Sequence, residues 1–269
     1  MKLLIFTILF NVLNYTGASE YFILDDYPAQ RAFSYRKLKS TYNGPCINAY
    51  NLNQGTYLDI GFKNNILDLD TLINFIGSDT GQIYKHYDQE ENNDLTFTSG
   101  LYSTIINSGT LQTLNNNVCS IWPINSAAFF SSLDIYSTFS VLKADAKALI
   151  NYFLWNGSYS NPIGFYNEGS AVGTNGYGIY AGGAKNSGYS GLSQTIANYN
   201  FNGTSYDVLI NDNQEVNLSS SLIQASHVGR SSNNLAINGP FQELILYNTS
   251  QEQNKAEILN NINSFYNVY

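Results

Sequence analysis

The sequence predicts an all-β protein, a single β-sandwich with a few short helices at its ends. Three observations carry this. Charged residues make up only 12% of the 269-residue chain while aromatics reach 14%, mostly Tyr, which is ample apolar material for a buried core and unlike a charge-rich disordered chain. Turn-forming Asn and Gly accompany strand-forming Tyr, Thr, Ile and Phe throughout. From Leu95 onward, short apolar runs recur between Gly, Asn and Ser.

The elements follow in chain order. Lys2, the apolar run Leu3 to Leu13, and the small residues Thr16 and Ala18 read as a signal peptide over residues 1–18, cut at Ala18/Ser19. Residues 19–269 are then one domain, expected to be secreted, extracellular or displayed at a surface. No other segment approaches the ~20 apolar residues of a membrane span. Ala29 to Lys39, AQRAFSYRKLK, has Ala32, Tyr35 and Leu38 at helical spacing and is expected as a short helix. CINAYNL and TYLDIGF are strands around a hairpin loop at Asn53-Gln-Gly55. LDLDTLINFIG is a helix of about two turns with Asp70 as candidate cap, and GQIYKHY is the next strand. About eleven strand candidates follow, up to FQELILYN. In the last segment, Thr249 or Ser250 caps a helix whose apolar stripe is Ala256, Leu259, Ile262 and Phe265 or Tyr266.

Several function classes drop out. The net charge is -8, and Arg36-Lys37-Leu38-Lys39 is too short to be an electrostatic footprint, so nucleic acid is not an expected partner. The chain has no Gly-x-Ser-x-Gly elbow and no phosphate loop, and GYGIYAGG lacks the spacing of a dinucleotide site. His86 and His227 are the only imidazoles, and His227 reads as a strand residue with a structural role. Two Cys and two His are too few for a structural zinc site. Cys46 and Cys119 either form one disulfide in an oxidising compartment or stay as buried thiols. Asn156, Asn202, Asn217 and Asn248 begin Asn-x-Ser/Thr sequons and are candidate glycosylation sites.

The densest polar stretch is HYDQEENNDL, His86 to Leu95. Asp88, Glu90, Glu91, Asn92, Asn93 and Asp94 could together hold a calcium ion, but a solvated loop needs less, and no cofactor or metal is expected. Tyr87 and Asp88 are the residues of this stretch expected to be buried or to reach a ligand; Glu90 and Glu91 are expected to face water. Hydrolysis of a glycoside needs two facing carboxyl groups. The acids outside the early loops are Asp134, Asp145, Glu168, Asp207, Asp212, Glu215 and Glu243. Binding a sugar needs only aromatic faces with amide and carboxylate partners, which Tyr, Trp122, Trp155, Asn and Asp supply.

QRAFSYRKLKSTYNGP with DIGF, then YDQEENNDL, then GPFQELILYN before the last helix, occur in this order. Together they resemble the catalytic domain of family-54 α-L-arabinofuranosidases, and still more its shorter relatives from phages, bacteria and large viruses. The resemblance covers most of residues 19–269 but is dense only in those three places. It implies a concanavalin A-like (LamG-like) β-sandwich, or jelly roll. It does not carry the activity with it. The family's acid/base Asp precedes its counterpart of GPFQEL; here that stretch is GRSSNN, with Ser231 or Ser232 in the acid's place. The nucleophile Glu follows a strand matching YGIYAGG, where Gly182-Gly183 stands. The cysteine pair beside the family's sugar pocket has no counterpart around IGFYNEG. The expectation is therefore a glycan- or polysaccharide-binding domain without hydrolysis, with Tyr87, Asp88, Trp155 and Arg230 as candidate ligand contacts. The alternatives are an active arabinofuranosidase acting on arabinose-containing polysaccharide, with Glu168 and Asp207 as its acids, and a structural or adhesive surface protein.

Overall fold

The computed structural model describes residues 21–98, 100–123, 127–143, 150–155, 163–167, 177–181, 184–189, 193–211, 216–229 and 239–269; within 150–189 the described side chains are those of Leu154, Ile163 and Gly164. The signal-peptide reading, Asn156, Glu168, Gly182-Gly183, Arg230 and the GRSSNN serines lie outside the described residues. So do Asp145, Asp212 and Glu215.

Antiparallel strands form two layers. In one, Gly239–Tyr247 is central. It pairs on one edge with Arg31–Ser34 and Ser120–Trp122, and on the other with Ser137–Leu142. Thr195–Phe201, Ser205–Ile210 and Val216–Ser219 extend this layer. The second layer runs Thr56–Ile60, Ile47–Asn51, Gly81–His86, Leu95–Phe97, Ala127–Ile135, Ile223–Gly229, Ile150–Trp155, Ile163–Asn167, Tyr177–Ala181 and Ala184–Tyr189. The layers join where Ile121 pairs with Thr104 of Ser103–Asn107, a strand that also lies beside Gly81–His86. Between them sits the main core, including Phe33, Ile47, Ala49, Ile83, Phe97, Trp122, Ala128, Tyr199, Tyr206, Val228, Phe241 and Leu244.

Asparagine does turn work here. Asn64-Asn65 and Asn115-Asn116 all have positive φ and close two-residue hairpins between Lys63 and Ile66 and between Leu114 and Asn117. That is the left-handed turn whose twist matches the strands it joins, and Asn tolerates it better than other non-glycine residues. Ser108-Gly109 makes a third turn of this kind.

The helix Lys255–Tyr266 lies on the outer face of the first layer. Ile258, Leu259, Ile262 and Tyr266 pack on Phe139, Val141, Ile196, Ile245 and Tyr247, with Ile23 and Leu24 alongside. At about 1.5–3 kcal/mol per fully buried aliphatic side chain, this docking contributes much of the layer's cohesion. Beneath it lies an ion pair. Arg36 Nε and Nη2 donate to Glu243 Oε2 and Oε1 at 2.7 and 2.9 Å, and Nη1 donates to Asn261 Oδ1 at 2.7 Å. Ser34 and Tyr266 hydroxyls donate to the same carboxylate, and the guanidinium sits 5.0 Å from the Phe265 ring.

Three local expectations are corrected, and the alternative left open for the cysteines falls to one side. Arg31–Ser34 is a fully buried strand, not a helix, because it pairs with Leu246 to Glu243 and is covered on both faces. The helix Leu69–Ile76 is capped by Asp68, whose carboxylate accepts from Thr71 N and Oγ1; Asp70 lies inside the first turn and pairs with exposed Lys63. The last helix starts at Lys255 after Asn254, because Ser250 and Gln251 bind Asn200 and Ser137 instead of capping; Ala256 is exposed. Cys46 and Cys119 are not bridged. Both are free and buried, and Cys46 Sγ donates to Ser34 O at 3.2 Å; burial pushes both thiols up, Cys119 to about 12.

Candidate functional site

HYDQEENNDL clamps the segment 29–39. Asp88 Oδ1 accepts from Ala32 N at 2.8 Å and Glu90 N at 3.1 Å, and Oδ2 from Asn92 N and Asn93 N. Burial pushes the Asp88 carboxyl up from its ordinary value, and those N–H groups with nearby Arg31 pull it back. Gln89 accepts from Leu38 N and donates to Arg36 O. Glu90, expected in water, has a nearly buried carboxylate that takes Ala29 N and the Lys39 ammonium at 2.6 Å. Its neighbour Glu91 is exposed, as expected. Asp88 is thus buried in a structural role. His86, at the start of the stretch, is buried among Phe97, Phe241 and Tyr35, and burial drives its pKa down to about 3.

Asp207 sits on the first layer. The Asn202 and Asn217 amides hold its two carboxylate oxygens at 2.9 and 2.5 Å. No second carboxylate faces it among the described contacts. Asn202 Oδ1 also caps a turn through Thr204 N and Ser205 N, whereas Asn248 is exposed at a strand end.

The outer face of the second layer is different. Register places Asp59, Asn48, Lys85, Thr96, Phe129 and His227 in one transverse row, each directly paired with the next, and the backbone of Trp155 pairs with that of His227. Their strand neighbours Ile60, Ile47, Leu95, Ala128 and Val228 point into the core. Tyr87 joins the row by donating its hydroxyl to Asp59 at 2.7 Å, and Lys85 lies 5.0 Å from the Tyr87 ring. Lys85 is paired with Asp94 at 3.1 Å. Phe129 is 40% exposed, and its ring meets His227 edge-on at 4.5 Å; His227 Nδ1 contacts Ser226 Oγ at 2.7 Å.

A β-bulge shapes this face. Asn48 pairs with Lys85 and Ala49 with Ile83, so Tyr84 is the extra residue. Both Tyr84 and Lys85 are then half-exposed, between buried Ile83 and buried His86. Tyr84 meets Tyr57 and Tyr102, and Tyr50 meets the same two, with centroids 4.6 to 5.6 Å apart. The quartet was missed in the sequence, as was Phe129. For Tyr50, Tyr57, Tyr84 and Phe129 the signal was an aromatic at an outward strand position, where a solvated face normally carries polar residues; Tyr102 is buried beside them.

These features define a concanavalin A-like β-sandwich with one helix-covered face and one exposed aromatic–polar face. The chain shares this fold with solved α-L-arabinofuranosidases. A family-54 enzyme soaked with a cyclic sulfate inhibitor superimposes over 92% of this chain with a TM-score of 0.66 at 15% identity. An arabinofuranosidase complexed with arabinofuranosyl-α-1,2-xylobiose gives 0.65 at 16% identity, again over 92% of this chain. The chain spans about 65% of the length of these proteins. No family model matches the sequence, and no curated protein matches it.

Proposed function

We propose that this chain is a secreted or surface-displayed glycan-binding domain that does not hydrolyse its ligand. The observation that carries this reading is the row on the open sheet face. It presents an exposed aromatic against an imidazole, with amide, hydroxyl and carboxylate neighbours, on a fold whose solved examples take arabinofuranosides. Aromatic surface for the apolar face of a sugar ring, and a few fixed polar groups for its hydroxyls, are the usual materials of such a site. The absence of hydrolysis is supported by the resemblance, which finds serine and glycine where the family has its two acids, and by Asp207, whose oxygens are occupied by amides. Without a nucleophile and a proton donor the two-carboxylate mechanism cannot run.

A polysaccharide pull-down with arabinoxylan tests the binding, and release of nitrophenol from 4-nitrophenyl α-L-arabinofuranoside tests the chemistry. Retention on arabinoxylan, weakened by Phe129→Ala, with no nitrophenol released, is the expected pair of results. Turnover abolished by Glu168→Gln would replace this reading with that of an active hydrolase. A chain that binds no glycan would leave the adhesive-protein alternative.

A further inference from the structure

We infer that the tyrosine quartet and the Phe129–His227 pair are two ends of one binding platform, and that its occupant is an extended, neutral polysaccharide chain. The inference rests on the glycan-binding reading and goes beyond it by fixing the kind of glycan. Tyr57, Tyr50 and Tyr84 lie on the same outer face as Phe129, one or two residues along their strands from Asp59, Asn48 and Lys85 in the transverse row. At about 4.8 Å between neighbouring strands, Phe129 stands roughly 10 Å from the strand of Tyr84 and roughly 19 Å from that of Tyr57. That gap suits several linked sugar rings, not one.

The floor between the two aromatic patches fixes the charge of the occupant. Thr96, between Lys85 and Phe129, is neutral, as are half-exposed Gln82 beside Tyr50 and Thr104 beside Gln82. The Lys85 ammonium is paired with Asp94, and Asp59 takes the Tyr87 hydroxyl and the Asn48 amide. Among the described residues the strip thus offers hydroxyls and amides with no unpaired cation, and the chain's net charge of -8 repels a polyanion. The quartet itself is built for contact from above. Tyr57 is 49% exposed, the Tyr50 and Tyr57 rings are inclined by only 33° at 4.6 Å, and the Tyr57 and Tyr102 hydroxyls meet at 3.5 Å. That contact raises the Tyr57 pKa to about 12, so its hydroxyl stays a neutral donor or acceptor.

The test compares two probes on the full chain by calorimetry: arabinofuranosyl-α-1,2-xylobiose, too short to reach from Phe129 to Tyr57, and polymeric arabinoxylan. Tyr57→Ala, at an exposed position, and Tyr57→Ala/Tyr84→Ala are each checked for a native circular dichroism spectrum. We expect arabinoxylan to bind more tightly than the trisaccharide. The tyrosine variants should weaken arabinoxylan about tenfold and leave the trisaccharide unchanged, while Phe129→Ala weakens both. Equal affinity for the two probes, or tyrosine variants that bind the polymer like the parent, would overturn the platform while leaving glycan binding intact. A dimer that Tyr57→Ala dissociates, with arabinoxylan binding unchanged, would assign the quartet to a second copy of this chain instead. Failure of the parent to bind either probe would remove the functional reading and the inference together.

Discussion

Gly239–Tyr247 and Gly81–His86 are both interior strands of their layers, yet they meet the solvent differently. The first is buried at nearly every position, because the main core lies on one side and the last helix on the other. The second alternates buried and half-exposed residues up to its bulge. A sheet covered on both faces forces its polar side chains to find partners inside the protein. Glu243 does so with Arg36, Ser34 and Tyr266. A sheet open on one face can spend its outward positions on contact with something else, and here it places Tyr57, Tyr50, Tyr84, Phe129 and His227 there, with buried Tyr102 packed against the tyrosines. The same sandwich therefore buries its ion-pair network on one side and leaves aromatics exposed on the other, where the proposed binding would take place.

The sharpest way to break this contrast is to unpair the covered side. Glu243→Ala leaves the Arg36 guanidinium buried without its carboxylate partner, and should cost about 3–5 kcal/mol in urea unfolding. The pair Arg36→Met with Glu243→Leu should recover most of that loss, since a buried ion pair adds little beyond apolar packing of similar volume. A double variant no better than Glu243→Ala would show that the network does more than compensate its own burial. Removing the clamp comes next. Asp88→Ala strands up to four backbone N–H groups, of which those in the loop can turn to water, and should cost about 2–3 kcal/mol. Arabinoxylan affinity should not change in the folded fraction, since Asp88 is enclosed. A selective loss of binding at unchanged stability would return Asp88 to the ligand site.

How much of this contrast could be read beforehand depended on periodicity. Where one face is open, alternation is visible, and CINAYNL, TYLDIGF and GQIYKHY read directly as strands with a hairpin at Gly55. Where both faces are covered, period two vanishes. Arg31–Ser34 therefore passed as a helix on the accidental spacing of Ala32, Tyr35 and Leu38. The Glu90 carboxylate read as solvent-facing because its backbone partner, Ala29 N, lies 61 residues away. The candidate site was least legible of all. Its row exists only through strand register, and the bulge at Tyr84 shifts that register by one residue. The open face also carries an acid-sensitive group just beneath it, His86. Folding lowers its pKa from about 6.5 to about 3, so the unfolded chain binds the extra proton between those values. Its contribution to stability is complete above pH 6.5 and is lost as pH falls toward 3. Between pH 7 and 5 the loss should be about 2 kcal/mol, and His86→Phe should remove that part of the pH dependence in paired unfolding curves.

The smallest stability effect should come from the open face, and that is what makes it informative. Phe129→Ala removes a 40%-exposed ring whose principal partner is His227, also near the surface. Exposed substitutions away from caps and buried networks usually stay within about 0.5 kcal/mol, so the thermal midpoint should barely move, while retention on arabinoxylan falls. On the covered side the order is reversed: Ile262→Ala, buried under the helix, should cost about 2–5 kcal/mol and leave the affinity of the folded protein unchanged. Measuring melting and binding on both variants separates the two roles. If Phe129→Ala melted several degrees lower with its affinity intact, the ring would be packing rather than recognition. The division between a stabilising face and a recognising face would then fail at the residue on which it most depends.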